Sequence, residues 1–249
     1  MRARPRYRLR AFAPLILALC ACEPDAAFDH YVLALSWQPA FCEANAERPE
    51  CRSLAVGDFA ARNLALHGLW PSASASEHPA YCGVAAAARD LDIAGQWCAL
   101  PTSGADQETQ DDLAQLMPGA RSCLDRHEWL KHGTCSGLDA DAYFDRSARL
   151  TEAVQATRLG ALLSAHVGRE IPLRDILDAF QEEFGQSAGA ALTVTCRRDG
   201  GRAYLAEIRL ALRPEALDKP LSGNSLFTAR GDPRGGCPSR VVIDRAGPG

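Results

Sequence analysis

Apolar positions along the chain fall into two kinds of pattern. Residues 28–37 (FDHYVLALSW) are a short aromatic and aliphatic run closed by Pro39, which predicts a mostly buried strand. A second such run, 64–70, ends at Pro71. Residues 72–103 are small and polar, are interrupted by Pro79, Gly83, Gly95 and Pro101, and contain two cysteines, which predicts a long stapled loop. Helical spacing follows over 106–117, stopped by Pro118 and Gly119, over 124–132, stopped by Gly133, over 140–166, with a break expected near Gly160, and over 173–184, between Pro172 and Gly185. Runs at 191–197 and 202–212 flank Asp199-Gly200-Gly201, a hairpin signal, and 240–244 adds a further strand. Without an internal repeat, a low-complexity tract or a long linker, these elements predict one α+β domain over 23–249.

The first 22 residues stand apart. Arg2, Arg4, Arg6, Arg8 and Arg10 precede an apolar run over 11–19 that is too short for a spanning helix of about 20 apolar residues, so they read as an export signal. Leu19-Cys20-Ala21-Cys22 also resembles a bacterial lipobox, in which a lipid on Cys22 would anchor the protein to a membrane; cleavage slightly further on is the other route. Beyond the signal, eight cysteines remain at 42, 51, 82, 98, 123, 135, 196 and 237. Their number is even and no Cys-x-x-Cys pair occurs, which points to four disulfides in an oxidising compartment, periplasmic or secreted, rather than to a structural zinc site. Removing the five signal arginines leaves 22 basic against 31 acidic residues, a net charge near −9. That excludes binding nucleic acid through a broad basic surface; any such contact must be local.

Candidate chemistry concentrates in LDRHEWLKHG, residues 124–133. On a helix, Lys131 lies about 40°, Glu128 about 100° and His132 about 140° from His127, while Trp129 and Leu130 lie at about 200° and about 300°. Four polar groups would therefore project from one face, with the other face holding the helix to the core. The chain has only two lysines, Lys131 and Lys219, against 25 arginines, so a lysine in this cluster suggests that a compact ammonium was wanted. A solvated face with i,i+4 charge pairs is the plainer alternative. The zinc-protease pattern His-Glu-x-x-His fails, because Lys131 occupies the second ligand position and would repel the metal. His67, between a buried strand and Pro71, is alone a weak signal. His30, His78 and His166 read as structural, and Trp70 reads as core or as a surface for base stacking.

Together, His67-Gly68-Leu69-Trp70-Pro71 and His127-Glu128-Trp129-Leu130-Lys131-His132-Gly133-Thr134-Cys135 resemble the two active-site signatures of the ribonuclease T2 family, and Ser136 to Phe144, Pro220 to Leu226 and Val241 to Asp244 resemble its bacterial periplasmic branch. The resemblance implies an α+β fold with a central antiparallel sheet, no metal or other cofactor, and endoribonuclease activity on single-stranded RNA through the ribose 2′-OH, which leaves DNA uncut. It makes His132 the general base, His67 the general acid, and His127, Glu128 and Lys131 the groups around the phosphate. It further implies the pairs Cys82–Cys135, Cys196–Cys237, Cys42–Cys51 and Cys98–Cys123. Where many members carry an acidic residue after the first signature, this chain has Ser72, so broad base specificity is expected, with Trp70 stacking a base. A monomer is expected. The competing reading is an inactive envelope protein on the same scaffold that binds RNA or another partner; it would show an eroded site, yet none of the five polar residues is missing.

Overall fold

The computed structural model describes residues 28–73, 77–228 and 232–247. The expected export signal over residues 1–22, with Cys20 and Cys22, lies outside the described residues. Six strands form one sheet: β1 (His30–Ser36), β2 (Ala65–Ser72), β3 (Arg169–Pro172), β4 (Leu192–Asp199), β5 (Arg202–Leu212) and β6 (Arg240–Ile243). The long β5 has β4 along one side; its other side pairs with β1 over Glu207–Leu212 and with β6 at Tyr204. The β5–β6 pairing is parallel, so the sheet is mixed rather than wholly antiparallel. The β4–β5 hairpin turns at Gly200 and Gly201, with φ of 52° and 78°, a turn that glycine enters without steric cost.

Eight helices accompany the strands among the described residues: α1 (Gln38–Ala44), α2 (Pro49–Arg52), α3 (Ala86–Ile93), α4 (Gln107–Leu116), α5 (Leu124–Lys131), α6 (Ala140–Gln155), α7 (Arg158–Ala165) and α8 (Leu173–Phe184). The apolar stripes of α6, α7 and α8, including Phe144, Leu150, Leu159, Ile176 and Phe180, pack with Leu33, Leu35, Leu66, Leu69, Ile208 and Leu210 of the sheet. Each such fully buried side chain contributes about 1.5–3 kcal/mol of transfer free energy. The other face of the sheet, with Val32, Ala34 and Trp70, carries the functional groups.

Three elements depart from the sequence reading. The stretch 72–103 is not all loop: the alanine-rich run before Asp92 forms α3, a consequence of high helix propensity in a segment whose flanking prolines and glycines suggest only irregular chain. The 140–166 helix breaks at Ala156–Thr157 rather than at Gly160, because the Thr157 side chain accepts from Gly160 N and caps α7. β2 runs through Pro71 to Ser72, which an edge strand tolerates, since its outer side needs no N–H. Four disulfides hold the loops, joining Cys42 to Cys51, Cys82 to Cys135, Cys98 to Cys123 and Cys196 to Cys237, the pairs the family resemblance implies.

Candidate active site

A β-bulge sets the direction of His67. In the β1–β2 ladder Ala34 faces Gly68 and Leu35 faces Leu66, so His67 is the extra residue. The alternation shifts phase there: Leu66 and Leu69 both point into the core, and His67 turns to the opposite face with Trp70. Its side chain is 34% exposed, and its Nδ1 lies 2.7 Å from Glu207 Oε2. Nε2 lies 3.6 Å from Glu128 Oε1.

Helix α5 brings the second signature against this edge. Glu128 is buried, and its Oε2 accepts a 2.7 Å hydrogen bond from Trp70 Nε1. Its Oε1 stands between two imidazoles, 3.6 Å from His67 Nε2 and 3.9 Å from His127 Nε2. Glu128 and His132 are thus buried, at 1% and 4% exposure, rather than lying on the solvated face of the plainer alternative. Trp129 tilts against Tyr143 from the other side of the helix, close over Gly133.

His127 is fixed by a residue that the sequence reading missed. Its Nδ1 lies 2.8 Å from Asp92 Oδ1 at the end of α3, Tyr81 Oη donates to the other carboxylate oxygen at 2.8 Å, and the Trp97 ring stacks on the imidazole at 4.4 Å. Asp92 lay hidden because its segment reads as loop; the alanine run before it was the available signal. The Lys131 ammonium makes no hydrogen bond or ion pair with any described residue. His132 closes the helix and is 4% exposed, with its ring 5.4 Å from that of Trp70 and 6.0 Å from that of His78.

His78, read from sequence as structural, belongs to this cluster: its Nδ1 lies 2.6 Å from Ser72 Oγ, and its ring meets the edge of Trp70. His30, stacked on Phe227, and His166, bonded to Leu162 O, lie elsewhere as structural groups. Ser72 is fully buried and donates to Trp70 O. Trp70 is 7% exposed, bordered by three imidazoles, with the Arg209 guanidinium 5.2 Å over its ring. The ring is therefore covered from several sides by the groups of the site. The open space is instead a cavity of about 380 Å³ beside His67, bordered by Phe41, Arg48, Trp97 and Arg197.

The histidines occupy opposed electrostatic settings. For His67, burial disfavours the charged form, but the hydrogen bond to Glu207 and the charges of Glu128 and Glu207 outweigh it, Arg209 notwithstanding, and the pKa rises. For His132, burial and then the charge of Lys131 push the pKa down to about 2. Burial also raises that of Glu128, against the pull of His67 and His127. Two titrating imidazoles with separated pKa values, a carboxyl group and a free ammonium around one cleft can move protons to and from a phosphate ester.

The fold is that of solved ribonucleases. The self-incompatibility-associated SF11-RNase of Nicotiana alata superposes with a TM-score of 0.60 at 21% identity, covering 88% of this chain and all of that one. Ribonuclease MC1 from bitter gourd seeds superposes at 0.56 with 22% identity, covering 86% of this chain and 100% of that one. In sequence, the chain is 37% identical over 238 residues to Ribonuclease I of Escherichia coli, covering 88% of this chain and 87% of the relative. Ribonuclease 1 of Arabidopsis thaliana is 26% identical over 230 residues, with 86% and 85% covered. The family described as Ribonuclease T2 matches residues 28–221, and the chain belongs to it, a family of endoribonucleases.

Proposed function

We propose that the protein cleaves single-stranded RNA without a metal, with His132 as general base and His67 as general acid. His132 takes the proton of a ribose 2′-OH, whose oxygen attacks the adjacent phosphorus; His67 gives its Nε2 proton to the departing 5′ oxygen. A 2′,3′-cyclic phosphate and a free 5′-OH result. The carrying observation is the contrast between the two rings: His67 is hydrogen-bonded to one carboxylate and near a second, which favours imidazolium, whereas buried His132 has no anionic partner and is held neutral. The two settings pull in opposite directions, towards a charged ring at His67 and a neutral one at His132.

His127, Glu128 and Lys131 surround the phosphate in this reading. The free ammonium supplies charge for the developing oxyanion, and Glu128, standing between the His67 and His127 rings, holds the two imidazoles about the phosphate. The cavity beside His67 offers an apolar wall at Phe41 and Trp97 for a neighbouring base. With Ser72 buried and bonded within the chain, no acidic group stands after Pro71 to select a base, which favours broad specificity. Four disulfides favour action outside the cytoplasm.

Incubation of the purified protein with RNA in excess EDTA should yield cyclic phosphate ends, while His67→Ala and His132→Ala should each lose about 10²–10⁴-fold in rate with an unchanged fold. Cleavage that needs added metal, or near-normal turnover by either variant, would defeat the reading.

A further inference from the structure

We infer that Glu207 is a positioning residue for this reaction, holding the His67 ring by Nδ1 so that Nε2 faces the phosphate, and keeping the ring charged as an acid. The inference rests on the reading of His67 as the general acid.

Glu207 belongs to neither signature, lying 140 residues beyond His67, and a second bulge brings it into place. In the β4–β5 ladder Thr195 faces Glu207 and Cys196 faces Leu205, so Ala206 is extra. Leu205 and Ile208 consequently both enter the core, and Glu207 turns to the face that carries His67. Without the bulge, simple alternation would place Glu207 on the same side as Leu205.

The carboxylate is 8% exposed and has a partner for each oxygen: His67 Nδ1 lies 2.7 Å from Oε2, and Arg209 Nε donates to Oε1 at 2.6 Å. Burial raises its pKa, but the hydrogen bond and charge of His67 with those of Arg209 outweigh this, and the group stays ionised. An ionised acceptor at Nδ1 requires the proton there, which leaves Nε2 as the atom that gains and loses the catalytic proton. In the transfer, the Nε2–H proton passes to the 5′ oxygen as the P–O5′ bond breaks. The Nδ1 proton stays on the ring, and Glu207 remains a carboxylate.

The charges facing His67 are Glu207 and Arg209 from β5 and Glu128 from α5; Arg197 of β4 and Arg48 and Glu50 before and within α2 border the adjoining cavity. Glu207 alone among them contacts Nδ1. A purely structural ion pair with Arg209 would affect stability and leave the ring's titration unchanged.

The test compares two substrates with the same attacking 2′-OH. A dinucleoside monophosphate needs its 5′ oxygen protonated; a nucleoside 3′-(4-nitrophenyl phosphate) has a leaving group that does not. Glu207→Gln should lower kcat/KM for the dinucleotide about 10–100-fold and move the basic limb of its pH profile downward, while the nitrophenyl ester loses less than about threefold. Glu207→Asp should recover part of the dinucleotide rate. Equal losses on both substrates, or an unmoved basic limb, would overturn the inference, and if Glu207→Gln does not fold, the same comparison on Glu207→Asp decides. His67→Ala run in parallel separates the two readings. If it keeps dinucleotide cleavage, His67 is not the acid; if it is inactive on the dinucleotide while Glu207→Gln behaves as wild type, only the role of Glu207 fails.

Discussion

Trp70 and Glu128 meet across the β2–α5 junction, indole Nε1 donating to Oε2 at 2.7 Å, and Gly68 lies against this bond with no side chain of its own. A Cβ at Gly68 would come within 2.1 Å of Glu128 Oε2 and 2.5 Å of Trp70 Nε1. Gly68→Ala should therefore displace the carboxylate, costing about 1–3 kcal/mol in urea unfolding and lowering turnover of the folded fraction. Normal kinetics in a folded Gly68→Ala protein would mean that the position of Glu128 is unimportant to the reaction.

Asp92 should matter through His127. Asp92→Asn keeps the size of the side chain but removes the charge from a hydrogen bond to Nδ1 at 2.8 Å. The expected loss is about 10–100-fold in kcat/KM, most of it in kcat if His127 binds the phosphate more tightly in the transition state, with little change in melting temperature. Steady-state kinetics on a dinucleotide check this directly.

The Cys82–Cys135 bond joins the segment carrying His78 to the end of the catalytic helix, beside the Tyr81 N to Lys131 O hydrogen bond. The Cys82→Ser/Cys135→Ser variant should lose about 2–4 kcal/mol of stability. Measured well below its unfolding midpoint, it should also be less active than wild type.

His78 covers His132. Burial and neighbouring positive charge, including that of His78, hold the His132 pKa down to about 2, so the base stays neutral across the ordinary pH range. His78→Ala admits water and removes one of those neighbours, and the His132 pKa should rise towards its ordinary value. A general base works only when neutral, so the acid limb of kcat/KM should move to higher pH in this variant. An acid limb that stays in place would show that His132 owes its setting to other groups.

Most of the secondary structure and the residues of both signatures were legible in the sequence, because each depends on local order. The period of α8, the two glycines of the hairpin turn, and the spacing of His127, Glu128, Lys131 and His132 are all contained in windows of a dozen residues. Four disulfides follow from an even cysteine count without Cys-x-x-Cys pairs, although their pairing came only through the family resemblance. Tertiary structure alone decided how the groups face one another. Bulges at His67 and Ala206 reverse the inward and outward alternation of β2 and β5, and nothing in the local pattern announces them, since a bulge is chosen by the packing of the leucines and isoleucine on either side. Glu207 became the partner of His67 by that route, across 140 residues, and Asp92 that of His127 through the packing of α3 against α5, across 35 residues. The packing of Trp70 and His78 over His132 was likewise invisible, because burial depends on which elements close over a side chain. The sequence named the groups proposed to react; the fold set the charges and burial around them.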